Sequence, residues 1–181
     1  MKTFFRDTLA IILIAAVIIF GLQATIQKFV VDGPSMNLTL HDGQQLLANK
    51  VVYKFHEPER GDVIIFHPPN NEKEEYIKRI IGLPGESVEI KEGIVYIHEA
   101  DGTVLPLDEP YVNSPAKQPF RGDIIPENEY FVLGDNRNNS SDSRNNWTLP
   151  QENIIGKAWL SVWPLDKWGL VANHYFQEQT E

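Results

Sequence analysis

The chain has 181 residues, of which 42% are hydrophobic and 23% charged, and it carries a formal net charge of −9. That length suits a short anchor followed by one globular unit and leaves no room for two full domains. The lack of cysteine excludes thiol catalysis, disulfides and thiolate zinc sites, and the acidic balance, with no basic patch, argues against a nucleic-acid partner.

Residues 1–7 are expected to form a cytoplasmic tail. From Thr8 to Gln27 about 20 residues carry no charge, enough to cross a hydrocarbon core as a helix. A cleaved secretory leader would end in a small-x-small triplet, which Gly-Leu-Gln-Ala-Thr-Ile-Gln lacks. Lys2 and Arg6 precede the apolar run, whereas Lys28 and Asp32 cancel beyond it, so the positive-inside bias places the N-terminus in the cytoplasm and residues 28–181 outside.

Beyond the anchor the apolar residues fall in β-branched runs or alternate with period two, which predicts a mainly β domain of seven or more short antiparallel strands. The runs are Gln45 to Ala48 leading to Val51-Val52-Tyr53, then Asp62 to Phe66, Tyr76 to Ile81, Ser87 to Ile90, Ile94 to Ile97, Glu129 to Leu133 and Lys157 to Val162. Leu83-Pro84-Gly85 and Lys91-Glu92-Gly93 are among the turns between them. Five prolines between Pro106 and Pro126 mark an irregular excursion outside the central sheet, within a small insert or flap spanning about 86–128. Trp159, Trp163 and Trp168 gather near the C-terminus, where they either fill the core or face a lipid interface.

Three features carry chemistry. Ser35 follows Gly33-Pro34 in a constrained bend that lets a carbonyl approach closely, although a plain turn serine fits as well. In Tyr76-Ile77-Lys78-Arg79-Ile80-Ile81, strand alternation puts Lys78 on one face and Arg79 on the other, so whichever face is buried carries a cation. An arginine there needs an ion pair, whereas a lysine can be neutral; a shift from about 10.4 to about 8 represents roughly 3 kcal/mol, within the reach of desolvation. Lys78 is thus the candidate base for Ser35, against the alternative of a surface strand lysine. The polar stretch Gly134 to Arg144 is either a solvated loop or a network supporting a site. Five histidines without metal-ligand spacing predict no metal, and no cofactor is expected.

Taken together, Gly33-x-Ser35-Met36-x-x-Thr39-Leu40, Arg60-Gly61-Asp62-Val63, Tyr76-Ile77-Lys78-Arg79-Ile80-Ile81-Gly82-Leu83-Pro84-Gly85-Glu86 and Gly134-Asp135-Asn136-Arg137 with Ser140, Asp142, Ser143 and Arg144 closely resemble the bacterial type I signal peptidases. The resemblance implies a membrane-bound serine endopeptidase that removes signal peptides from secretory preproteins at Ala-x-Ala-like sites. It assigns the nucleophile to Ser35, the general base to Lys78 and the orientation of that lysine to Ser140. It also implies an Arg79–Asp135 pair, an Asp142–Arg144 pair, and a pocket for small side chains at Val31, Met36, Leu40, Tyr76 and Ile77.

Two positions depart from the family pattern. Leu38 stands where proline is usual, so restoring proline is expected to keep or raise the rate, provided that φ there is near −65°. Gly33 stands where some relatives carry a hydroxyl, which leaves more of the oxyanion to the Ser35 N–H. Self-cleaving repressors share the Ser/Lys arrangement but would need a DNA-binding region in place of the apolar run. A silent membrane-tethered β module that binds exported chains is the other alternative.

Overall fold

The computed structural model describes residues 2–71, 73–174 and 176. The termini of the expected tail and of the expected exported unit, Met1 and Glu181, lie outside them. Helix α1 (Lys2–Thr25) contains a 20-residue stretch, Arg6–Thr25, with mean hydropathy 2.4 and no described residue buried by protein, long and apolar enough to cross a membrane. It ends two residues before the expected boundary. Ile26 and Gln27 open strand β1 (Ile26–Val30) and pair with Asn49 and Ala48, while the Lys50 N–H donates to Thr25 O at 2.9 Å, so a neighbouring strand captures the backbone before the apolar run is exhausted.

The rest is mainly β. A mixed-order antiparallel sheet contains β1, β2 (Gln45–Asn49), β3 (Val63–Phe66), β4 (Tyr76–Gly82), and further along the chain β9 (Glu129–Leu133), β10 (Leu149–Pro150), β11 (Ile154–Trp163) and β12 (Gly169–Leu170). A second sheet is built from β5 (Ser87–Lys91), β6 (Ile94–His98), β7 (Val104–Pro106) and β8 (Phe120–Arg121). The large sheet runs β1-β2-β11-β3-β4-β9-β10 with β12 on the side of β11; the small one runs β7-β6-β5-β8. Each predicted run forms a strand except Val52-Tyr53. There the Asn49 side chain accepts the Val51 and Val52 N–H groups, both at 3.1 Å, and turns the chain into a 3₁₀ segment. The proline-rich excursion stays out of the large sheet, as its composition predicts, and only its edges pair with β6 and β5.

Strand β4 decides where the site lies. Its neighbours are β3 and β9, and both of its faces are covered: Ile77 joins one apolar cluster with Val31, Met36 and Leu40, Ile80 a second with Phe66 and Val132, and Ile81 a third with Phe131 of β9 and with Val88 and Ile97 from the small sheet. Burying each such side chain stabilises the fold by about 1.5–3 kcal/mol before chain entropy is counted. A strand packed on both sides buries both of its cations. Lys78 is 4% exposed and Arg79 0%.

Candidate active site

The two buried cations are accommodated differently. Arg79 holds Asp135 with two parallel bonds, Nε to Oδ1 at 3.0 Å and Nη2 to Oδ2 at 2.7 Å, and its Nη1 donates to Gly61 O and Ala172 O. This fork-on-fork geometry satisfies a charge that cannot be removed. Among the described residues Lys78 has no carboxylate partner. Its Nζ lies 2.8 Å from Ser35 Oγ and 2.9 Å from Ile77 O. Burial drives its pKa down from 10.5 to about 8, against the opposing pull of Asp142 and Asp135.

Ser35 stands in a loop fastened at several points. Gly33, at φ +80°, donates its N–H to Asp42 at 2.8 Å, and the positive φ suits glycine. From the loop after β9, the Asn136 N–H donates to Ser35 O and the Asn136 amide to Pro34 O, each at 3.0 Å. Thr39 Oγ1 donates to Asp135 Oδ2 at 2.6 Å, so the nucleophile loop is tied to the Arg79 pair. Gly134 packs so closely that any Cβ there would collide with Ser35 O and the Ser140 side chain. Asp142 accepts from Arg144 Nε and Nη2, both at 2.8 Å, and from the Gly134 N–H at 3.1 Å, fixing the same loop.

Two expectations are corrected by these contacts. Leu38 has φ +92°, far from the −65° of proline, because the turn closed by Met36 O with the Thr39 and Leu40 N–H groups passes through the left-handed region at that residue. Leu38→Pro is therefore expected to destabilise the loop and lower turnover, while Leu38→Gly, which relieves the left-handed strain, should raise stability by about 1 kcal/mol; urea unfolding of the two variants checks both signs. Ser140 makes no hydrogen bond to Lys78. Its Oγ is buried without a partner.

An open cleft of about 760 Å³ lies over the Ser35–Lys78 pair. Of the five expected pocket residues, Tyr76 and Ile77 line it, together with Phe29, Pro34 and Ser140. Val31, Met36 and Leu40 are instead buried in the apolar cluster with Phe29 and Ile77. Sequence reasoning gave Arg137 no role and missed Glu109 and Tyr111: Arg137 is 2% exposed and its two terminal nitrogens bind Glu109 at 2.6 and 2.5 Å. Nothing local in the sequence pairs a proline-rich segment with a loop 28 residues away. Among the described residues no group of three or more His, Asp or Glu is placed to hold a metal ion.

A serine hydroxyl bonded to a desolvated amine, beside a cleft on a β scaffold, has the parts that nucleophilic catalysis of the serine-hydrolase class requires. Residues 4–163 match the family described as signal peptidase, peptidase S26, and the chain belongs to that family, which makes it a serine protease and a signal peptidase. It is 37% identical over 181 aligned residues to the probable signal peptidase I-1 of Synechocystis, covering 96% of this chain and 90% of the relative. It is 38% identical over 174 residues to the signal peptidase I of Bacillus amyloliquefaciens, covering 90% and 87%. A signal peptidase I crystal structure from Enterococcus faecalis shares 35% identity, with a TM-score of 0.49, over 56% of this chain and 96% of that one.

Proposed function

We propose that the protein is a membrane-tethered endopeptidase that removes N-terminal signal peptides after small-x-small sites, with Ser35 as nucleophile and Lys78 as general base. The observation that carries this reading is the 2.8 Å contact between Ser35 Oγ and a lysine amine held near pKa 8 by burial. The neutral amine takes the hydroxyl proton as Ser35 Oγ attacks the scissile carbonyl. The Ser35 N–H, which has no acceptor among the described residues, faces the resulting oxyanion. Collapse expels the new N-terminal amine of the mature chain, which receives the proton from Lys78, and leaves an ester on Ser35. Lys78 then deprotonates a water that releases the signal peptide. The Ser140 hydroxyl lines the same cleft without a bond to Lys78, so the lysine is held in place by Ser35 Oγ and Ile77 O.

The apolar cleft wall made by Phe29, Tyr76 and Ile77 suits small side chains on an extended substrate. Helix α1 is assigned to the membrane with residues 1–7 in the cytoplasm and the β domain outside. Trp159, Trp163 and Trp168 are 45%, 52% and 61% exposed, with Leu165 and Leu170 also exposed beside them, which favours lipid contact over a core role. The short path from Thr25 to Ser35 keeps the cleft close to the membrane.

The test is cleavage of a secretory precursor by the full chain, in detergent and in anionic vesicles, alongside Ser35→Ala. Serine-dependent release of the signal peptide, faster with lipid and with tryptophan emission shifted to the blue, is the expected result. An intact precursor would leave a silent binding module, and unchanged emission would remove lipid from the tryptophan surface.

A further inference from the structure

The proline-rich excursion takes no part in the mechanism above, yet its residues reach the supports of the site from two directions. Glu109 grips Arg137 with both carboxylate oxygens, and Arg137 Nε donates to Gly134 O at 3.2 Å, in the loop that holds Ser35. Tyr111 donates to Glu109 at 2.8 Å and lays its ring over Arg79, 4.0 Å from the guanidinium carbon to the ring centroid. Burial pushes the Tyr111 phenol up, so it stays a donor. Arg79 in turn fixes Asp135, and Asp135 fixes Thr39 in the nucleophile loop.

A second tie runs through Asn138, which lines the cleft. Its amide donates to Ser114 Oγ at 3.1 Å and to Pro115 O at 3.0 Å, and its carbonyl accepts the Lys117 N–H at 3.0 Å. Residues 109–117 therefore brace the 134–138 loop along its length. Arg137 is too deeply buried for water to replace its counter-ion, and among the described residues Glu109 is the only carboxylate bonded to it.

We propose that Glu109 and Tyr111 are positioning residues of the peptidase reaction, which act through Arg137, Arg79 and Asp135 to hold the Gly134–Asn138 loop against the loop that presents Ser35. The excursion is then a brace for catalysis and not a substrate-binding flap. The inference rests on Ser35 and Lys78 being the catalytic pair. Because neither Glu109 nor Tyr111 lines the cleft, substrate affinity should be left alone while the geometry of attack suffers.

The experiment compares steady-state cleavage of a signal-peptide substrate by the full-length enzyme with that by Glu109→Gln, Glu109→Asp, Tyr111→Leu and Tyr111→Phe. Wild-type turnover and its loss in Ser35→Ala, measured in the same assay, establish the catalytic pair separately; turnover that survives Ser35→Ala would overturn the pair and this inference together. Glu109→Gln and Tyr111→Leu are expected to lose kcat at least tenfold with KM changed less than twofold. Glu109→Asp, which keeps the charge but shortens the reach to Arg137, and Tyr111→Phe, which keeps the ring on Arg79 but loses the bond to Glu109, should recover only part of it, with kcat still several-fold below wild type at constant KM. Folded Glu109→Gln or Tyr111→Leu enzymes with wild-type kcat, or with the loss confined to KM, would overturn the proposal. If those two variants do not fold, Tyr111→Phe and Glu109→Asp decide it: a several-fold fall in kcat at constant KM supports the brace, and wild-type kinetics in both sinks it.

Discussion

Replacing Lys78 with methionine is expected to lower signal-peptide cleavage by about 10,000-fold and, at neutral pH, to make the fold more stable. The loss of activity follows from the removal of the only amine bonded to Ser35 Oγ among the described residues. Arginine at the same position should fare no better, since a guanidinium cannot accept the proton. The gain in stability has a definite pH window. The folded pKa of Lys78, about 8, lies below its value of 10.5 in the unfolded chain, so between these values the unfolded state binds more protons and stability rises with pH. Below about pH 8 the charged amine is buried at a full penalty of about 3 kcal/mol, and above about 10.5 the penalty is gone. Lys78→Met should therefore unfold at higher temperature than the wild type at pH 7, by several degrees, and converge with it as the pH approaches 10.5. A variant that is less stable at pH 7 would mean that Lys78 sits in a better solvated place than its 4% exposure implies.

Removing Asp135 is expected to have the largest effect on stability. In Asp135→Ala, Arg79 keeps its charge at 0% exposure with only two backbone carbonyls and the Tyr111 ring around it. An uncompensated buried charge of this kind costs about 3–5 kcal/mol, a third or more of the net stability of an ordinary domain. The midpoint of thermal unfolding should fall by about 10 °C. Activity should fall as well, because Thr39 loses the acceptor that ties the nucleophile loop to β4. Replacing both partners, as in Arg79→Met with Asp135→Leu, should recover much of the stability but not the activity, since an apolar pair fills the space without anchoring Thr39. A fall of less than 1 kcal/mol in Asp135→Ala would show that the pair is not the buried keystone described above.

The strands were legible because β-branched runs bounded by glycine and proline turns have few other ways to fold, and β3 to β6 and β9 lie where those runs predict. The reading of β4 as a strand with one cation on each face was right, but alternation alone could not tell which face is covered. Both are, because two clusters, one of them with Val88 and Ile97 of the small sheet, cover the face of Ile77 and Ile81 while a third takes Ile80 on the other face. The contact between Ser35 and Lys78 spans 43 residues and rested on the resemblance, since no local periodicity encodes it. Leu38 misled for a different reason. A left-handed residue is announced by glycine or asparagine, and leucine gives no such sign. Val31, Met36 and Leu40 were expected in the pocket on the resemblance alone, and no local pattern shows that the inner side of the loop carrying Ser35 packs onto β1, β2 and β3 and belongs to the core. The Glu109–Arg137 and Tyr111–Arg79 contacts left no trace in composition, as charged residues in a proline-rich stretch read as solvated loop until their partners are known.

The central claim, that a neutral Lys78 amine activates Ser35, is tested most directly by the pH dependence of kcat/KM for a signal-peptide substrate, followed from pH 5 to 10.5 with Ser35→Ala as the blank. The free-enzyme base must lose its proton to work, so activity should rise with pH through an apparent pKa of about 8. A rise centred near 6.5, as a histidine base would give, or one that begins only above 10, as a solvated lysine would give, would contradict it.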